Sequence, residues 1–321
     1  MRASSLPKIS SLRNEATQTM IKALLFAILV SSVSTTHAEV KVERLDYHGW
    51  SGCFRMSNGL VELVYVPQIG RIMRFARING PNVLWENSRL AGKTAASAKQ
   101  GEWANYGGDK LWPAPQSLWN WPPDPILDGS PYATSVVVNA LVISGSSSPK
   151  SGVRFTRRIW MDSDSTTVHI RNTMTNTSTR YQELALWEIA QTDDPDLVIV
   201  PIEVTANMPM GWAPYDEKQI DPAFASVHED GLHVHRSPKG GFKLGSASRK
   251  GVLTAGKHGE RFEMFVQKSD GVYVDDGKFL EVYASGDPDK YVELEMTGPL
   301  TTLAPTQSCV LDMTWRVTKV R

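Results

Sequence analysis

The sequence predicts an all-β fold built as one large antiparallel domain, and three observations predict it. Runs rich in β-branched and aromatic residues recur along most of the chain. Several of them alternate with period two, the signature of a strand with one buried face. Turn chemistry separates them, and no segment carries a long amphipathic helix, a repeat or a low-complexity block.

The elements follow in order. LVELVYVP (60–67) and ATSVVVNALVIS (133–144) read as strands. In VRFTRRIWM (153–161), Val153, Phe155 and Arg157 share one face. GSSSPKSG (145–152) joins that strand to the one before it, and DSDS (162–165) joins it to TVHIRNTMTN (167–176) as a hairpin. LALWEIAQT (184–192) is an apolar strand interrupted by Glu188. FEMFVQ (262–267) and KFLEVYAS (278–285) come next. In YVELEM (291–296), Val292, Leu294 and Met296 share one face, and Glu293 and Glu295 share the other. CVLDMTWRV (309–317) is the closing strand, and LAGKTAASAKQGEW (90–103) has the composition of a short helix. No Pro/Ser-rich linker splits the chain, so a single β domain is the simplest reading.

Residues 1–38 have the order of a secretory leader. Basic Lys22 is followed by apolar ALLFAILV, then by SSVSTTHA, with Thr36 and Ala38 at the minus-three and minus-one positions of a cut. The 19 residues before Met20 are long for such a leader, which makes Met20 an alternative start. The apolar run is too short to remain as a membrane span. Cleavage would leave 39–321 in the periplasm or medium, with no integral membrane segment. Without Arg2, Lys8, Arg13, Lys22 and Glu15 the chain has 30 basic and 33 acidic side chains, a net charge of about −3. That balance argues against nucleic acid as a partner. Cys53 and Cys309 stand near opposite ends. In an oxidising compartment they are either a disulfide or two separate buried thiols, and sequence does not choose between them.

The densest concentration of chemistry is NYGGDKLWPAPQ (105–116), followed by LWNWPPDP. Four of the ten tryptophans, Trp103, Trp112, Trp119 and Trp121, fall within 19 positions. The prolines forbid regular ladder pairing through the stretch, and Gly107-Gly108 permits a close backbone approach. An ordered loop of this kind either plugs the end of a sandwich or offers flat apolar walls to a ligand. A pyranose ring has such a face, with hydroxyls that suit Asn105, Asp109, Lys110 and Gln116, while Trp112 and Trp119 are the candidate stacking walls. Arg71 and Arg74, in PQIGRIMRF, suit vicinal hydroxyls or a carboxylate, against the plainer reading of a solvated hairpin end. Glu188, with Gln191 three residues on, places a carboxylate on an apolar strand, which is costly unless paired or functional. Glu293 and Glu295 are candidates for a general base. His228, His233 and His235 are the weak candidates for a metal set, against the simpler reading of a surface strand. No G-x-S-x-G, P-loop or dinucleotide fingerprint occurs, so no cofactor is called for.

NYGGDKLWPAPQ with WPPDP, the preceding GRIMRF, and YVELEMTGPLTTLAPTQS near the end together resemble the DUF4380 family of uncharacterised bacterial proteins. That family looks similar to the galactose-mutarotase-like superfamily, which includes the aldose 1-epimerases, and the likeness spans most of residues 45–318. The resemblance implies a supersandwich of two large antiparallel sheets with a carbohydrate site on a concave face. For catalytic members it implies a His that protonates the ring oxygen and a Glu that takes the anomeric proton. Glu293 or Glu295 then falls where the base is expected. The acid departs from the pattern, because Glu188 stands where mutarotases place a His, and their N-x-x-N-H loop is missing. The alternatives are Glu188 as the acid, one of the three histidines reaching in, or absence of that chemistry. Three functions follow as expectations: an epimerase-like isomerase acting on a free or acidic sugar, a non-catalytic glycan-binding module, or a polysaccharide lyase or hydrolase on the same scaffold.

Overall fold

A computed structural model describes residues 39–94, 102–216 and 219–320. The leader expected over 1–38, with its alternative start at Met20, lies outside these residues. So do residues 95–101 of the helix expected over 90–103, of which Leu90 ends a single 3-10 turn, Ser88–Leu90.

Among the described residues, twenty-one strands form three sheets. β1 (Lys41–Tyr47), β2 (Trp50–Ser57), β3 (Val61–Val66) and β4 (Arg71–Arg77) make a four-stranded meander. Then follow β5 (Asp109–Ala114), β6 (Ala133–Val137), β7 (Ala140–Ser144), β8 (Val153–Met161), β9 (Thr167–Asn176), β10 (Gln182–Asp193) and β11 (Leu197–Val200). Next are β12 (Ala213–Pro214), β13 (Ala225–His228), β14 (Gly231–Val234), β15 (Phe242–Ser246), β16 (Val252–Lys257) and β17 (Glu260–Val266). β18 (Leu280–Ala284), β19 (Tyr291–Thr297), β20 (Thr301–Leu303) and β21 (Ser308–Lys319) complete the chain. The ten-stranded sheet runs β13-β14-β11-β16-β17-β21-β9-β8-β7-β6. The third sheet runs β12-β15-β18-β19-β10-β20, with β5 also paired to β10. Every pairing among these strands is antiparallel.

The period-two pattern explains how the sheets meet. Along β8, Val153, Phe155, Arg157, Ile159 and Met161 are buried and alternate with more exposed residues. On β19, Val292, Leu294 and Met296 point into the same apolar core. That core draws on all three sheets, through Phe54 and Phe75, Leu244 and Val282, and Phe155 and Trp315. Burial of this apolar surface is the main force holding the layers together.

The run 133–144 is two strands, not one. Val138 and Asn139 have φ of 46° and 58° and turn the chain between β6 and β7. Two residues at positive φ are what the two-residue hairpin demands, and Asn tolerates that conformation better than most. β6 is the edge of the ten-stranded sheet, and Val136, Val137 and Val138 are exposed there. Cys53 on β2 and Cys309 on β21 are both free thiols, so of the two readings open in the sequence the disulfide is not the one formed. Among the described residues no helix is long and apolar enough to cross a membrane.

Candidate functional site

Strand parity builds the site. β15, β18, β19, β10 and β5 lie side by side. Leu244, Val282, Leu294 and Ala190 project into the core from one face of this sheet. The intervening residues, Lys243, Glu281 and Tyr283, Glu293 and Glu295, Trp187 and Gln191, Lys110 and Trp112, therefore share the other face. On that face is an open cavity of about 500 Å³, within the range of small-molecule sites. Its walls are aromatic: Trp103, Trp112, Trp121, Trp187, Tyr215 and Tyr283. Glu293, Glu295 and Lys243 form its floor.

The floor carries paired charges. Lys110 Nζ lies 2.6 Å from Glu293 Oε1, and Gln191 Nε2 donates to the same oxygen at 2.9 Å. Lys243 Nζ lies 2.6 Å from Glu281 Oε2 and 2.9 Å from Glu295 Oε2. It also sits 4.4 Å from the Trp187 ring centroid and 4.6 Å from that of Tyr215, a cation–π clamp on both sides. One ammonium shared by two carboxylates compensates only one negative charge. Burial, with Glu281 and Glu293 nearby, pushes the Glu295 carboxyl up to about 8, against the opposing pull of Lys243. Burial, with Glu281 adjacent, also holds the Tyr215 hydroxyl well above the usual phenol range, so it remains a donor.

The other face of β5 and β10 holds a second, fully buried charge cluster. Arg157 Nη2 lies 2.5 Å from Asp109 Oδ2 and 3.3 Å from Glu188 Oε1. Asn172 Nδ2 donates to Glu188 Oε2 at 2.8 Å, and the Ile72 amide donates to Asp109 Oδ1 at 2.6 Å. Burial and the nearby Asp109 hold the Glu188 carboxyl well above its usual range. The expectation that Asp109 and Glu188 meet a ligand is therefore corrected. Adjacent residues on a strand face opposite ways, so Lys110 turns to the cavity and Asp109 into the core. The same parity separates Trp187 from Glu188. Glu188 as the family's acid is inconsistent with this burial between sheets.

Arg71 is corrected for a related reason. It is buried, ion-paired to Asp128, and donates to the Gly107 carbonyl at 2.9 Å. Asp128 in turn accepts from Trp103 Nε1 at 2.6 Å, so Arg71 anchors the tryptophan loop from behind. Gly107 and Gly108, at φ of 92° and 68°, pack so closely that a Cβ would collide with the Trp85 and Ile72 carbonyls. Arg74 pairs with Glu62 at 2.7 Å on the four-stranded meander, away from the cavity. Asn105 is not among the residues lining the cavity; its side chain hydrogen-bonds Tyr291, which is, and its carbonyl accepts from Asn87. Gln116 lines the cavity, whereas Trp119 donates to the Pro113 carbonyl and lines a neighbouring one. The His228 and His233 rings stack 3.9 Å apart at one end of the ten-stranded sheet, and His235 bonds the Asp196 carbonyl. They are not among the residues lining the cavity, and among the described residues no three His, Cys, Asp or Glu side chains gather as a metal set. Sequence reasoning does not find Lys243, Glu281, Tyr215 or Tyr283; the alternation of LEVYA, the same as that of YVELEM, is a signal for Glu281 and Tyr283 alone.

Large antiparallel sheets packed around a shared apolar core give this chain the fold of solved galactose-mutarotase-like proteins. A galactose mutarotase-like protein from Lactobacillus casei superposes with a TM-score of 0.53 at 10% identity, covering 83% of this chain and 100% of that one. A putative mutarotase from Salmonella typhimurium gives 0.54 at 12%, covering 94% and 99%. A TPR-domain containing protein from Parabacteroides distasonis gives 0.58 at 14%, covering 83% of this chain, which spans only 47% of that protein. At these identities the likeness is one of fold. No curated protein matches the sequence. The chain belongs to the DUF4380 family, a domain of unknown function, whose model matches residues 53–318.

Proposed function

We propose that the protein is exported and binds carbohydrate in the aromatic-walled cavity. The observation that carries this reading is the juxtaposition of flat indole and phenol walls with a floor of paired carboxylates and ammonium groups. Aromatic faces suit the apolar side of a pyranose, and fixed acceptors and donors suit its hydroxyls. Export rests on the leader-like order of residues 1–38. A neutral sugar suits the floor better than an acidic one, because Lys110 and Lys243 are already matched to Glu281, Glu293 and Glu295. Calorimetry of a chain starting at Glu39 against neutral and acidic sugars tests the reading. Binding of a neutral sugar is expected, and silence across the panel would sink it.

A second reading is an aldose 1-epimerase-like isomerase, favoured by the raised value of Glu295 beside ion-paired Glu293. The two carboxyls stand two residues apart on one strand, about 7 Å along it. That spacing suits a proton donor at one edge of a sugar ring and an acceptor at the other. One-dimensional NMR of anomer exchange on the bound sugar is the measurement. Acceleration is expected in the native protein and loss of it in Glu295→Gln, with binding retained. Binding without acceleration would leave a glycan-binding module.

A further inference from the structure

The tryptophan loop separates two cavities rather than closing one. On its far side lies a second cavity of about 400 Å³, lined by Leu118, Trp119, Asn120, Lys150, Ser151 and Gln182. Trp112 and Trp121 line both this cavity and the carboxylate-floored one. Their ring centroids are 6.1 Å apart at 83°, so Trp112, which is buried, forms the base of the partition and Trp121 its crest. Trp121 is 54% exposed, an unusual cost for the largest apolar side chain unless something covers it. In the opposite direction the carboxylate cavity runs into a third, of about 370 Å³, which shares Asp216, Gly241, Phe242 and Lys243 with it.

We infer that the ligand is a glycan chain, not a free monosaccharide, with one sugar unit over Glu293 and Glu295 and the chain crossing the Trp121 crest into the Trp119–Lys150 cavity. This rests on the carbohydrate reading above and names its substrate class. Three features favour a chain. Each cavity is of small-molecule size, so one monosaccharide occupies only part of the series. The crest is an indole, which stacks on a sugar ring whatever its substituents. The outer cavity mixes apolar walls with Asn120, Lys150 and Gln182, donors and acceptors that suit hydroxyls. A lipid or peptide partner would find polar groups without a continuous apolar or backbone-pairing edge.

The test is a length series. Neutral oligosaccharides of one to about five units, from β-1,4-glucan, β-1,4-xylan, α-1,4-glucan and β-1,4-galactan, are titrated calorimetrically into the chain starting at Glu39. Affinity is expected to rise about tenfold from one unit to three in the series that binds, about 1.4 kcal/mol. Trp121→Ala should abolish that gain and Trp121→Phe should restore most of it, while Lys150→Ala, which touches only the outer cavity, should reduce the gain and leave the single-unit affinity unchanged. Because Trp121 is exposed, neither variant threatens the fold, and their melting temperatures check this. A monosaccharide that binds with no gain on lengthening would overturn the inference and leave the carbohydrate reading standing. Absence of binding at every length would overturn both.

Discussion

Glu295 shows how one residue's surroundings set its chemistry. Its carboxyl is 1% exposed, shares Lys243 with Glu281, and titrates at about 8. The folded value lies above the unfolded one, so between about pH 4.5 and 8 the folded state holds a proton that the unfolded state releases. Its contribution to stability is fully present below that window and is lost as the pH rises through it. Urea denaturation at about pH 5 and about pH 8 should show the native protein losing a few kcal/mol that Glu295→Gln retains, at a slope of up to about 1.4 kcal/mol per pH unit. Parallel pH profiles for the two proteins would refute the assignment. The alternation of YVELEM made the glutamate face legible in the sequence. Lys243 was not, because a lysine in a short Gly-flanked strand signals nothing until β15 is known to lie two strands from β19.

At the scale of elements, β5 and β10 each turn one face to the cavity and the other to the core. Lys110, Trp112, Trp187 and Gln191 serve the cavity, while Asp109 and Glu188 hold Arg157 in the core. The sequence showed which residues were unusual but not which way they faced. Reading NYGGDK as a loop hid its strand parity, since the glycines that suggested a loop only precede a strand paired to β10, and Pro113 lies within that strand. Removing the cation from the core cluster leaves two carboxylates buried without it. Arg157→Met should therefore destabilise the fold by about 3–5 kcal/mol, measured by chemical denaturation. A loss below about 1 kcal/mol would mean the cluster relaxes or protonates instead.

At the scale of the whole molecule, one large apolar cluster joins the three sheets, and the meander adds a much smaller cluster of its own around Trp50, Cys53 and Val66. The described residues are expected to unfold in one transition, despite a size at which many proteins populate intermediates. Far-ultraviolet circular dichroism, tryptophan fluorescence and the reactivity of buried Cys53 should give coincident midpoints. Separate midpoints would show the meander of β1–β4 to be an independent unit. Strand content and the antiparallel character were legible from periodicity. The order of strands was not, because pairings such as β5 with β10 join segments more than 70 residues apart and depend on long-range packing.

The β6–β7 hairpin has a consequence of its own. Among the described residues β6 ends the ten-stranded sheet with no strand on its outer side, and three successive valines stand exposed at its tip. An open edge with low charge and high β-propensity is a template for another chain, and natural sheets usually guard such edges with lysine, proline or a bulge. On concentration or heating, self-association of this protein is expected to start by strand addition at β6, away from the aromatic cavity, and Val137→Lys should raise the concentration at which light scattering detects it.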